Sequence, residues 1–83
     1  MTNREILDIL KELFPTVLPH VDMSAVTLES DLFTDLGMDS LSLLLTSLAI
    51  ENRFNIRITP NTKFTKVGDV VDYIQKVLPN EIR

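Results

Sequence analysis

Ser40-Leu41-Ser42-Leu43-Leu44-Leu45-Thr46-Ser47-Leu48-Ala49-Ile50-Glu51-Asn52-Arg53-Phe54 is the stretch on which the fold turns. It has no glycine or proline and is dominated by leucine, so a helix is predicted from Ser40 to Phe54. Placed on a wheel at about 100° per residue, its apolar side chains divide into two groups. Leu43, Ile50 and Phe54 lie together, with Ser47 among them, while Leu41, Leu44, Leu45 and Leu48 cluster on nearly the opposite side. A surface helix needs only one apolar stripe. Either this helix is buried on both sides, or part of the Leu41/Leu45/Leu48 face stays open to partners. Both hold at once if Leu44 turns inward and Leu45 outward.

Upstream, Gly37-Met38-Asp39 leads into this helix. Gly37 permits a tight backbone turn, and Asp39 is placed to cap the first turn. Pro19 to Asp39 has no helical period, a loop of about 20 residues, longer than compact domains usually carry without a functional reason. Val21, Val26, Leu28, Leu32, Phe33 and Leu36 predict that it packs across the bundle, with Asp22, Ser24 and Ser30 as caps for short turns. Before it, Thr2 and Glu5 form a capping-box pair, and Ile6, Ile9, Leu10, Leu13 and Phe14 recur at helical spacing. The first helix is therefore predicted over Thr2 to Phe14; Pro15 can occupy the last turn, but the stretch to Pro19 ends the helix.

Downstream, Asn55 marks the helix exit and favours a positive φ. Ile56-Arg57-Ile58 alternates like a strand but is too short to stand as one, so it reads as extended chain. Pro60 to Phe64 fits one short helical turn. Thr65 is expected to cap a last helix reaching about Leu78 before Pro79, with Val67, Val70, Val71, Ile74, Val77 and Leu78 inward. The expectation is an all-α bundle of three main helices and a minor one.

Composition agrees with this. The 83 residues are 45% apolar and 24% charged, ordinary for a globular protein, and one domain spanning residues 1–83 is expected. The absence of cysteine rules out disulfides and thiolate metal sites. Twelve acids against eight bases give a net charge of −4, which argues against binding nucleic acid and for basic partner surfaces. No apolar run approaches the roughly 20 residues of a membrane span, and no signal peptide opens the sequence. A cytoplasmic monomer is the expectation.

Ser40 stands where a loop meets a helix. A catalytic serine needs a base and a group to orient it, yet the sole histidine, His20, lies beside Pro19 with no partner spacing. His20 reads as an exposed loop residue, and hydrolysis is unsupported. A covalent attachment site asks for less: an accessible hydroxyl on a rigid platform. A helix N-terminus also suits a phosphodiester, because its free amides and dipole favour negative charge. Asp31, Asp35 and Asp39 recur every four residues, but Gly37 disfavours the helix that would align them for a metal, and no calcium-loop pattern is present.

Asp35-Leu36-Gly37-Met38-Asp39-Ser40-Leu41 resembles the phosphopantetheine attachment motif of acyl carrier proteins, centred on Asp-Ser-Leu. Glu51-Asn52-Arg53-Phe54-Asn55-Ile56-Arg57-Ile58 is similar to that family's second-helix exit, with Asn55 where glycine is usual. Val67-Gly68-Asp69-Val70-Val71-Asp72-Tyr73-Ile74 resembles the start of its last helix. The resemblance implies a small four-helix bundle and a non-catalytic carrier. It implies a 4′-phosphopantetheine arm transferred from coenzyme A by a phosphopantetheinyl transferase, with an acyl thioester on the arm. Acyl-loading and acyl-transferring or condensing enzymes would be the further partners. Ser40 carries over as the modified residue, Asp39 as the neighbour read by the transferase, and Leu41 as an apolar partner contact. Asp35 matches the motif's acid but serves equally as a loop cap.

The chain also departs from the pattern. Ser42 and Leu45 stand where acids are common in fatty-acid carriers, and Glu51 is the only acid between Leu41 and Phe54. Recognition is therefore expected to use Leu41, Leu45 and Leu48, with Asp35 and Asp39 nearby, favouring a dedicated polyketide-like, lipid or secondary-metabolite pathway. Pro60 to Val67 is short, so the third helix is expected to be reduced or vestigial. Thr46 and Ser47 either bond back to the preceding turn or line a cavity for an unusual acyl group. An aminoacyl, peptidyl or D-alanyl carrier is the alternative, and a helical interaction module without a prosthetic group a more distant one.

Overall fold

The computed structural model describes residues 2–59 and 62–78, which contain three α-helices. They are α1 (Asn3–Val17), α2 (Ser40–Phe54) and α3 (Val67–Val77), with one 3-10 turn at Met23–Ala25 in the long loop. The capping box of α1 forms as read: the Glu5 amide donates to the Thr2 hydroxyl at 3.1 Å, and the Thr2 amide to the Glu5 carboxylate at 2.7 Å. This helix runs past the expected end at Phe14, with Pro15 inside its last turn. A proline there removes only one amide from the ladder, and the Leu18 amide closes the helix on the Phe14 carbonyl at 2.7 Å.

Ile6, Leu10 and Phe14 of α1 form the centre of the core, fully buried. Packed around them are Ile50 and Phe54 of α2, and Val67, Val70, Val71 and Ile74 of α3. The first helix packs against both others, whereas α2 and α3 scarcely touch each other. The long loop supplies more of the core, burying Val26, Leu32, Leu36 and Met38, and Leu18 and Phe64 complete it. Phe33, expected to join them, is instead 42% exposed.

Main-chain bonds fasten this loop to the start of α3. The Leu32 amide donates to the Thr65 carbonyl at 2.8 Å, the Val67 amide to Ser30 at 2.9 Å and the Gly68 amide to Leu28 at 2.8 Å. Asp31 and Lys66 form an isolated antiparallel bridge within this seam. Amides that a helix start leaves unpaired are thereby satisfied. The expected Thr65 cap is not used. The helix begins one residue later, with Lys66 at the N-cap position, and the Asp69 carboxylate takes the Lys66 and Thr65 amides at 3.0 and 2.9 Å.

Between α2 and α3 the chain is extended. Asn55 takes the left-handed conformation at φ 56°, as its position at the helix exit predicts. The turn expected over Pro60 to Phe64 lies partly outside the described residues, and Thr62 to Thr65 are not helical. Where the resemblance implies a third helix, no helix is seen among the described residues 62–65.

Candidate functional site

The approach to Ser40 is built from short-range hydrogen bonds. The Asp31 carboxylate accepts the Phe33 and Thr34 amides at 2.8 and 2.9 Å, and the Asp35 carboxylate accepts the Asp31 amide at 2.7 Å. Asp35 thus serves as a loop brace. Gly37 turns the chain at φ 73°, a conformation a side chain would strain even though space around it is open. The Met38 amide returns to the Leu32 carbonyl at 3.0 Å, tying the turn to the seam.

Asp39 then caps α2, its carboxylate accepting the Ser42 amide at 2.8 Å. That bond, reinforced by the Ser42 hydroxyl, holds the Asp39 carboxyl below its ordinary range. Ser40 is the first residue of α2, and it is exposed. Its hydroxyl stands at the positive end of the helix dipole. His20 is also exposed.

The two faces of α2 separate cleanly. Thr46, Ile50 and Phe54 are buried, Leu43 and Ser47 half-buried. Leu41, Leu44, Leu45 and Leu48 are 63, 57, 45 and 48% exposed. The inward turn expected of Leu44 is therefore corrected: it faces out with the other three, because the inward side is filled by Thr46 and Ile50. Of the two readings for Thr46, neither the bond back to its own helix nor the cavity lining is seen: its hydroxyl is buried without a partner. Its wheel position beside Ile50 was the available sign that it would be buried.

Ser40 also lies at one end of a groove of about 380 Å³. Leu43, Leu44, Ser47, Leu48 and Glu51 form its α2 wall. Ile58, Thr59, Thr62 and Phe64 form the other. Ser47 joins this lining, whereas Thr46 points to the core. The second wall could not be read from the sequence, because it depends on contacts across the chain. The Tyr73 hydroxyl donates to the Arg57 carbonyl at 3.0 Å, and its ring meets Phe64 edge-on with centroids 5.6 Å apart. The Glu51 carboxylate accepts the Ile58 amide at 2.7 Å.

An exposed serine that leads a helix beside an apolar groove offers an accessible hydroxyl on a rigid platform, which suits covalent attachment of a group. Comparison with known proteins agrees. Residues 8–74 match the family model described as a phosphopantetheine attachment site. The acyl carrier protein of Helicobacter acinonychis is 43% identical over 58 residues, covering 68% of this chain and 74% of its own. That of Thermotoga maritima is 42% identical over 60 residues, covering 70% and 74% respectively. The apo doublet acyl carrier protein from prodigiosin biosynthesis has the same fold, with a TM-score of 0.72 over 98% of this chain and 42% of that one, at 23% identity. The chain belongs to the acyl carrier protein family. Its members are non-catalytic, carry 4′-phosphopantetheine covalently, and are served by phosphopantetheinyl transferases and acyl-handling enzymes. Among the described residues no helix is long and apolar enough to cross a membrane.

Proposed function

We propose that residues 1–83 act as one carrier domain whose Ser40 bears the phosphopantetheine arm. The supporting observation is the exposure of Ser40 as the first residue of α2, at the mouth of an apolar groove. These residues suit the group: the hydroxyl is reachable, the helix dipole favours the phosphodiester, and the groove offers apolar cover for what the arm holds. In the loading step the Ser40 Oγ–phosphorus bond forms as the pyrophosphate bond of coenzyme A breaks. The nucleotide half leaves, and the hydroxyl proton passes to the transferase. Once bound, the group supplies a thiol that carries the acyl chain as a thioester.

The carrier serves a dedicated pathway through an apolar docking face. Leu41, Leu45 and Leu48 are its core, and Asp39 is the acid beside the modified residue. The reading is supported by four exposed leucines on a helix that carries a single acid after Leu41. Asp35, committed to the loop, acts on recognition by holding the turn before Ser40.

The test is intact mass after incubation with coenzyme A, magnesium and a promiscuous phosphopantetheinyl transferase, alongside Ser40→Ala. The parent gains one phosphopantetheine and the variant none. A folded parent that gains nothing, or a variant that still gains the group, overturns the assignment.

A further inference from the structure

We propose that Glu51 is a positioning residue that sets the depth of the groove, and hence the length of acyl chain it accepts. The inference rests on the carrier reading above, because it takes the acyl chain as the occupant. Since α2 and α3 scarcely touch, helix packing does not fix the distance between the groove's two walls. The wall opposite α2 has neither helix nor strand over 56–59 and 62–65. Its place is set by its own core anchors, buried Phe64 and half-buried Ile56 and Ile58, and by side chains that reach it from both helices.

From α3, Tyr73 holds Arg57 and Thr59, donating to the first carbonyl and accepting the second amide at 3.4 Å. From α2, Glu51 holds Ile58 through its carboxylate. A carboxylate accepting a main-chain amide at 2.7 Å is a charge-assisted bond, roughly twice as strong as a neutral one. The Glu51 carbonyl accepts the Asn55 amide, and the Ile56 amide at 3.2 Å, so this residue grips the turn with main chain and side chain together.

Glu51 and Ile58 both line the groove. Glu51 lies eleven residues beyond Ser40, about 16 Å along the helix axis. The latch therefore closes the groove at the end remote from Ser40. A chain entering from the arm meets that closed end. Longer chains must part Ile58 from Glu51 or leave their tips in water, so short and medium straight chains gain the most from burial.

The holo protein loaded with straight-chain acyl groups, lengthened two carbons at a time, tests this through its unfolding temperature and Ile58 amide exchange. In the parent, stabilisation rises with chain length and then levels off. In Glu51→Ala the Ile58 amide exchanges at least tenfold faster, and levelling moves at least two carbons longer. Glu51→Gln, whose neutral amide oxygen still accepts the Ile58 amide but more weakly, keeps the parental levelling point with Ile58 exchange between that of the parent and Glu51→Ala. Glu51→Asp, one methylene short of reach, follows Glu51→Ala and stands in for it should that variant not fold. Unchanged Ile58 exchange, or an unmoved levelling point, overturns the latch. A parent indifferent to chain length overturns the groove as the chain's place, and the latch with it; mass gain at Ser40 tests the arm separately.

Discussion

Thr46 brings a hydroxyl into the core with no partner, where a methyl would fit the same shape. An unsatisfied buried hydroxyl costs about 1–3 kcal/mol. Thr46→Val is expected to raise stability by about 1 kcal/mol, read as a higher denaturant midpoint at unchanged slope. Asn55 is the converse case, a residue suited to its strained backbone. Holding a non-glycine residue left-handed costs roughly 1–2 kcal/mol, less for asparagine. Asn55→Gly should therefore match or slightly exceed the parent in thermal unfolding, and Asn55→Val should fall below it by about 1–2 kcal/mol. Both backbone turns, at Gly37 and Asn55, were legible because the residue types themselves announce them. The Thr46 orphan was not, since whether a hydroxyl finds its own helix depends on a rotamer that the packing decides.

Among the elements, stability at the ends rests on carboxylates that accept nearby donors. Glu5, Asp39 and Asp69 hold helix starts, through Thr2, Ser42 and Lys66 respectively. Asp31 holds the loop through Thr34 and Phe33, and Asp22 the 3-10 turn through Ser24. All five carboxyls are held below their ordinary values. A group whose pKa is depressed by folding contributes stability above its unfolded value and loses it as pH falls through the folded one. Unfolding temperature should hold steady down to about pH 5 and fall progressively below about pH 4. Asp69→Asn should lower the neutral-pH midpoint and give a shallower acid decline. The helices were legible from apolar period and capping residues. The cap of α3 was misassigned to Thr65, because the helix starts at Val67, where its first amides are taken by Ser30 and Leu28, more than 30 residues away. Phe33 misled for a related reason: hydrophobicity does not say which side of a turn faces out.

Over the whole molecule, one helix is asked to do two jobs. Its inward side completes the core with α1, and its outward side offers four leucines to solvent. Leu45→Glu should leave stability and phosphopantetheine loading near parental, since the side chain is half exposed. It should weaken turnover with acyl-loading partners by about tenfold, as loss of an apolar anchor does. Parental turnover with every partner would sink the docking face. The division of α2 into two faces was legible from the wheel, but not the groove, whose second wall is placed in part by Tyr73 and Glu51.

The seam between the loop and α3 has an evolutionary reading. Its three bonds join main-chain atoms, so they exist whatever side chains Glu29 and Thr65 carry. The Glu29–Lys66 pair alongside is exposed and adds little. Gly68 differs, since a Cβ there would stand 3.0 Å from the Leu28 carbonyl that its own amide must reach. In a library randomised at 29, 65 and 68 and sorted for folded chains, the first two positions should drift freely. The third should return as glycine, the single point where this seam leaves an imprint on heredity.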